Sequence, residues 1–277
     1  MKLRTLFAEA VSHLRDSGIE TAARDARALI SFAVNVPSDR LTLCAEDTIY
    51  DAQIEKANQV IALRCAGLPV SRIIGRRLFW RREFIVTKDV FDPRGDTETL
   101  IALALQRPAK RILDLGTGTG AIGITLAAEW SHATLTASDL SNKALEVAEQ
   151  NAEKLGVSER CQFIKSDWFS EIEGTFDLIV SNPPYISQVE VAELATEVKD
   201  YEPFIALSSG EDALYAYQKI SSQAMHHLTP GARLLLEIGH TQGKAVSNLL
   251  DEAGFRDIMV HLDFEQKDRV VSCSIPA

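Results

Sequence analysis

Apolar residues along the first part of the chain recur with the spacing of helices. Leu3, Leu6, Phe7, Ala10, Val11 and Leu14 share one face of a helix over 3–16, and Gly18 follows as a stop. A second helix is predicted over 21–34, with Ala26, Leu29, Ile30 and Ala33 inward and Pro37 beyond its end. A short helix near 38–45 and a longer one over 51–66, closed by Gly67 and Pro69, complete the set. Such short helices are unstable alone, so residues 1–74 read as a bundle held by mutual packing. The pattern then changes. GRRLFWRREFIV alternates and is rich in aromatic and β-branched residues, so 75–92 reads as a hairpin connector. From residue 93 to 277 strands alternate with helices. The strands fall at 111–115, 134–139, 161–166, 176–181, 232–239, 255–262 and 268–275, with helical stretches between the first five and another at 242–253. Only a short connection joins the last two strands, which should therefore pair antiparallel. The expectation is an α/β fold, a doubly wound sheet of seven mostly parallel strands behind a helical N-terminal domain.

Composition sharpens this picture. The 277 residues are 46% hydrophobic and 25% charged, enough for a real core and unlike a disordered chain. The net charge of −10 is unevenly spread: residues 1–92 carry 14 basic against 12 acidic groups, and 93–277 carry 15 against 27. A strongly acidic α/β domain argues against a phosphate backbone lying across it. Five arginines (72, 76, 77, 81, 82) cluster at the connector, a solvated face or a contact for RNA or an acidic partner. The four cysteines form no CxxC and suit a reducing compartment, and no residues space as metal ligands. No apolar run approaches a membrane span. Glu9, His13 and Arg15 interrupt the segment a signal peptide would need, so a cytoplasmic protein is expected. There is no HExxH, nucleophile elbow or P-loop. His226-His227 reads as a helix-end pair.

The strand RILDL runs into Asp114-Leu-Gly116-Thr117-Gly118-Thr119-Gly120 and then a helix. Glycines here let a ligand approach the backbone, and the helix start offers free N–H groups. Read from Gly118 through Gly120 to Gly123, the stretch also matches the dinucleotide fingerprint. Either way Asp139, at the end of the second strand, is placed to hold ribose hydroxyls. The loop alone does not separate a nicotinamide cofactor from S-adenosylmethionine. Asp114 tilts the balance by offering a carboxylate to a methionine ammonium. Asp167 and Trp168, after the third strand, offer an acceptor for an adenine amine and an indole for its ring.

The fourth strand ends in Asn182-Pro183-Pro184-Tyr185, where an open α/β sheet places its ligand crevice. This turn suits a planar –NH2 nucleophile, whose lone pair is delocalised and therefore weak. The Asn182 side-chain oxygen and the Pro183 carbonyl can accept both N–H bonds, orienting the nitrogen and returning density to it. The prolines hold these acceptors in place beforehand, and the Tyr185 ring can pack on the planar group. Asn182, Pro183 and Tyr185 are thus the candidate catalytic residues, with Pro184 beside them in the substrate-binding turn.

These motifs resemble the HemK/PrmC family of N(5)-glutamine methyltransferases, which act on the Gly-Gly-Gln motif of peptide chain release factors. The resemblance extends over nearly the whole chain: the helical domain, GRRLFW, RILDLGTGTGAI, SDWF, SNPPYI, YEP at 201–203, LLLEIGHTQG and DRVV. It implies a class I S-adenosylmethionine-dependent methyltransferase fold with a substrate-docking N-terminal domain. Cofactor contacts are implied from the 116–120 loop, Asp139, Trp168 and Asn182, and substrate contacts from Asn182 to Tyr185. The expected partners are release factors, met by a monomer, with no membrane or nucleic acid. Two departures stand out. The family's Pro-Arg-Pro-Asp-Thr-Glu is here Pro93-Arg94-Gly95-Asp96-Thr97-Glu98, where Asp96 or Thr97 could simply cap a helix. Its Gly-Gly-x-Asp-Gly is reduced to Ser209-Gly210-Glu211-Asp212-Ala213. The NPPY turn is shared with DNA adenine methyltransferases. N(6)-adenine methylation of DNA or RNA, glutamine methylation of a ribosomal protein and a non-catalytic cofactor-binding scaffold are therefore the alternatives.

Overall fold

In the computed structural model, which describes residues 1–208 and 210–276, the chain divides into two compact units. The first comprises Met1–Arg76 with a distant segment, Ala195–Tyr201. Its helices are α1 (Leu3–Asp16), α2 (Ala22–Val34), α3 (Asp51–Cys65) and α4 (Val70–Ile74). The apolar stripes meet in one core, with Leu6, Leu14, Leu29, Ile30 and Ile61 buried. Asn35 ends α2 in the left-handed region at φ 56°. Residues 38–46 form turns, not the helix expected at 38–45. Leu41 is buried there but Leu43 is 83% exposed, so no apolar stripe exists for a helix to bury. Helix α4, absent from the sequence reading, is too short for periodicity to reveal; Pro69 before it and Gly75 after it were its only signals. A short helix at Thr196–Lys199 completes the unit. There the buried Arg64 donates from Nε to Asp25 at 2.8 Å and from Nη1 to Glu197 at 2.6 Å.

The second unit, Arg77–Leu194 and Glu202–Ala277, holds most of the connector hairpin, β1 (Arg76–Phe79) and β2 (Arg82–Ile85). Its two-residue turn places Trp80 and Arg81 at φ 45° and 61°, a twist usually left to Asn or Gly. Glu98 accepts the Trp80 backbone N–H, and Glu129 accepts both the indole N–H and Arg82. With Arg77 paired to Asp92 at 3.6 Å, part of the arginine cluster is used internally.

The remaining strands are β3 (Arg111–Leu115), β4 (Thr134–Asp139), β5 (Cys161–Lys165), β6 (Phe176–Ser181), β7 (Leu228–Glu237), β8 (Arg256–Leu262) and β9 (Asp268–Ser274). They form one seven-stranded sheet in the order β5-β4-β3-β6-β7-β9-β8. In this sheet β9 runs opposite to the other six strands and pairs antiparallel with both β7 and β8. Alternate residues serve opposite faces: Ile112, Leu178 and Val180 join one core, Leu113 and Ile179 the other. Helices α5 (Glu98–Leu105), α6 (Ala121–Glu129) and α7 (Asn142–Lys154) cover the first face. Helices α8 (Tyr215–Ala224) and α9 (Gly243–Glu252) cover the second. The helical stretch expected between β5 and β6 is instead a set of turns. Ser166 Oγ holds them by accepting the Glu171 N–H and donating to the Trp168 carbonyl. Chain order reverses between β3 and β6, so a crevice opens at their carboxyl ends. Among the described residues, no helix is long and apolar enough to cross a membrane.

Candidate active site

The turn after β3 is shaped by glycines with two different tasks. Gly116 and Gly118 sit at φ 68° and 56°, and a Cβ added at either would meet nothing within 4 Å. Their backbone faces open space. Gly120 and Gly123 are packing positions: an added Cβ would lie 2.2 Å from Ile124 Cδ1 at the first and 2.7 Å from Leu135 Cδ1 at the second. Asn151, fully buried on α7, donates to the Thr119 carbonyl and exchanges hydrogen bonds with Ile85, tying the turn to β2.

The two acidic residues differ. Asp139 lines the cavity while its oxygens accept the Gly118 and Ser141 N–H groups, both at 2.9 Å. Burial raises its pKa against the pull of those donors. Asp114 is not among the cavity-lining residues; it lies beneath the turn with no solvent exposure. Its Oδ2 accepts the Thr117 hydroxyl at 2.7 Å and the Gly123 N–H at 3.0 Å, while Oδ1 has no partner among the described residues. Burial pushes it up to about 7, against those two donors. Asp114 therefore shapes the loop from below, and the expected direct contact with a ligand ammonium is not supported by its placement.

The cavity above this turn measures about 660 Å³. Its walls are the Gly116–Thr119 loop, Ser138–Ser141, Ser166–Trp168 and the Asn182–Ile186 turn, together with Phe91 and the helical turn at Phe204–Leu207. Of the residues expected to touch cofactor or substrate, Asp114 and Gly120 fall outside the lining. Asp167 is exposed at the cavity edge, and Trp168, at φ 52°, is half-buried against the second core.

Parallel pairing of β6 with β3 and β7 carries Asn182 to the same level as the glycine turn. Ser181 anchors the strand end by donating to the Leu115 carbonyl at 2.7 Å. Asn182 donates from Nδ2 to Thr97 Oγ1 at 3.4 Å, leaving its oxygen as the end available to the cavity. Thr97 makes no side-chain cap to α5, so the capping role considered for it is replaced by this contact. Gln242 supports the turn from behind, donating to the Tyr185 carbonyl and accepting the Gly239 N–H, both at 3.0 Å. Burial raises Tyr185 to about 12, with the Glu237 carboxylate adding to the effect, so its phenol stays protonated. Glu202 of YEP holds the entrance loop, residues 92–97, which brings Pro93 and Thr97 to the cavity wall: its buried carboxylate accepts the Asp92 N–H and pairs with Arg94 at 3.1 Å. Asp96 pairs with Arg269 at 3.4 Å. Gly210 lines the cavity, whereas Ser209 of the reduced glycine motif lies outside the described residues. His227 stacks on Phe169 with centroids 4.7 Å apart and is not among the cavity-lining residues.

Thr97, Glu237, Gln242 and Glu202 had no functional assignment in the sequence. Each lies inside a stretch that carries the resemblance, but only the folded chain brings them to Asn182 or the entrance loop.

Two family models match the chain, the PrmC N-terminal domain over residues 5–75 and the methyltransferase small domain over 84–199. A release factor glutamine methyltransferase of Cereibacter sphaeroides is 47% identical over the full length of both chains. One from Bradyrhizobium diazoefficiens is 38% identical over 90% of this chain and 85% of its own. A bifunctional methyltransferase of Rickettsia bellii is 37% identical over 96% of this chain; the match spans 54% of that longer protein. Among solved structures, a methyltransferase from Pyrococcus furiosus superposes with a TM-score of 0.51 at 18% identity, covering 68% of this chain and 89% of its own. That likeness is one of fold.

Proposed function

Because the chain belongs to the release factor glutamine methyltransferase family, we propose that it methylates the glutamine side-chain nitrogen of the Gly-Gly-Gln motif in peptide chain release factors, using S-adenosylmethionine. The observation that carries the reading is the Asn182–Tyr185 turn opening into the same cavity as the Gly116–Thr119 loop. The residues present fit the cofactor. Gly116 and Gly118 present backbone without side chains, Asp139 offers a half-buried acceptor at a strand end, and Trp168 lies in the same wall. When bound, the cofactor supplies an electrophilic methyl group on a sulfonium.

The protein's part is to orient the acceptor. Asn182 Oδ1 and the Pro183 carbonyl accept the two N–H bonds of the glutamine amide and aim its lone pair into the cavity. Two prolines fix those acceptors, so little reorganisation remains at the moment of transfer. Tyr185, kept neutral, packs against the planar amide and is not a base. The proton leaves the nitrogen for water after the new bond forms. Residues 1–74 serve as the docking domain, 75–92 as connector and 93–277 as the catalytic domain, in a cytoplasmic monomer.

Adenine methylation of DNA or RNA is disfavoured by the 15 basic against 27 acidic residues of 93–277. Labelled cofactor offered to release factor, ribosomal protein and duplex DNA should mark the release factor. A release factor carrying Glu in place of the motif's Gln should take no label. Asn182→Ala should lower kcat by roughly 10²–10³-fold, the loss typical of one preorganised polar partner. Asn182→Asp, which keeps an acceptor, should retain more activity. Transfer surviving both Asn182→Ala and the Gln→Glu substrate would end the glutamine assignment.

A further inference from the structure

Resting on that reading, we propose that Glu237 is a positioning residue for Asn182: its buried carboxylate takes the amide –NH2 end and so keeps the amide oxygen turned to the substrate. Register brings them together. Ser181 pairs with Leu236 across β6 and β7, so the next residues, Asn182 and Glu237, stand side by side as the strands end. Glu237 is 2% exposed and is not among the cavity-lining residues, so it does not meet the substrate. The Thr97 hydroxyl and the Asn182 amide face its carboxylate and favour its charged form, and its Oε2 has no partner among the described residues. Around it stand Asp96, Arg269, Tyr185 and Tyr217. Arg269 does not neutralise it by a close pair, being engaged with Asp263 at 3.1 Å and Asp96 at 3.4 Å.

A carboxylate in such a place is costly and would serve packing worse than an apolar side chain. Its distinctive property is that it accepts and never donates. Beside an ionised Glu237, the Asn182 amide has one favourable orientation, with nitrogen inward and oxygen outward. A protonated carboxyl, or a glutamine, can donate as well as accept, and both orientations become available. Burial pushes Glu237 up to about 7, against Thr97, Arg269 and Asn182, so the selecting form is lost as pH falls through that value. Stability runs the other way. The folded state binds this proton more tightly than the unfolded chain, so the group's contribution is present at low pH and is lost as pH rises from 4.5 to about 7.

The test compares wild type with Glu237→Gln in full-length protein. On release factor, the variant should lose roughly 10- to 100-fold in kcat with little change in KM, as expected for a misoriented group. The fall in wild-type rate below pH about 7 should be reduced in the variant; because Asp114 also titrates near 7, the difference between the two proteins is the readout. At pH 8 the variant should melt no lower than wild type, whereas a merely structural role requires it to melt lower. The side-chain amide resonances of Asn182, identified by their absence in Asn182→Asp, provide a measure independent of transfer. In wild type they should shift together with the Glu237 carboxyl carbon, with a common midpoint near 7. In Glu237→Gln that shift should vanish. Asn182 resonances indifferent to Glu237 ionisation, or an unaltered kcat and pH profile in the variant, would overturn the inference while leaving the glutamine reading intact. Coupled resonances in a protein that does not label release factor would sink the substrate assignment and keep the coupling. If Glu237→Gln does not fold, the wild-type midpoints alone decide.

Discussion

Asp139 does two jobs with one carboxylate. It closes the glycine turn through the Gly118 and Ser141 N–H groups and still faces the cavity. Asp139→Ala should weaken S-adenosylmethionine binding by roughly 1–3 kcal/mol, because ligand hydroxyls lose a charged acceptor while the turn loses its brace. Calorimetry showing unchanged affinity would remove Asp139 from the site. At this scale the sequence revealed residues whose chemistry shows at a strand end and left without a role those that work through a distant partner. Asn182 and Asp139 announce themselves by position at strand ends. Thr97 resembles an ordinary helix-start threonine, and Glu237 an ordinary glutamate after a buried run. Their partner, Asn182, lies 85 residues from Thr97, and local pattern carries no record of such a meeting. Asp114 shows the converse limit: its place before the first glycine is plain, but its burial beneath the turn is a matter of packing.

Among the elements, long periodic ones were legible and short ones were not. Helices α1 to α3 and the central strands follow from apolar spacing, since each has a face or two to bury. The 38–46 turns, the turns after β5 and the five-residue α4 are governed by local hydrogen bonds and end signals, which spacing does not report. The entrance loop is a case where sequence and structure together make a prediction. Gly95 begins a single 3₁₀ turn, an added Cβ there would meet nothing within 4 Å, and Arg94 before it is extended at ψ 149°. Such a position accepts proline. Gly95→Pro should raise stability by about 0.4–1 kcal/mol by restricting the unfolded chain. Thermal melts that fall instead would mean that the loop needs glycine's freedom.

At the scale of the whole molecule, the helical unit is not one stretch of sequence. Arg64, its charge buried with Asp25, reaches Glu197 in the segment Ala195–Tyr201. Among the described residues, Arg64→Ala leaves Asp25 buried with the exposed Arg24 at 3.6 Å as its one ionic partner, and should cost about 3–5 kcal/mol. The same change should make the 195–201 segment more readily cut in limited proteolysis; a cleavage pattern and melting point like the wild type's would show that the segment is held by other contacts. This arrangement bears on how the protein comes into being. Glu197 follows Arg64 by 133 residues, which at ordinary rates of synthesis is a delay on the order of 10 s. The helical end of the chain leaves the ribosome first, yet it waits for its last ionic partner until the turn that bears Asn182 has already emerged.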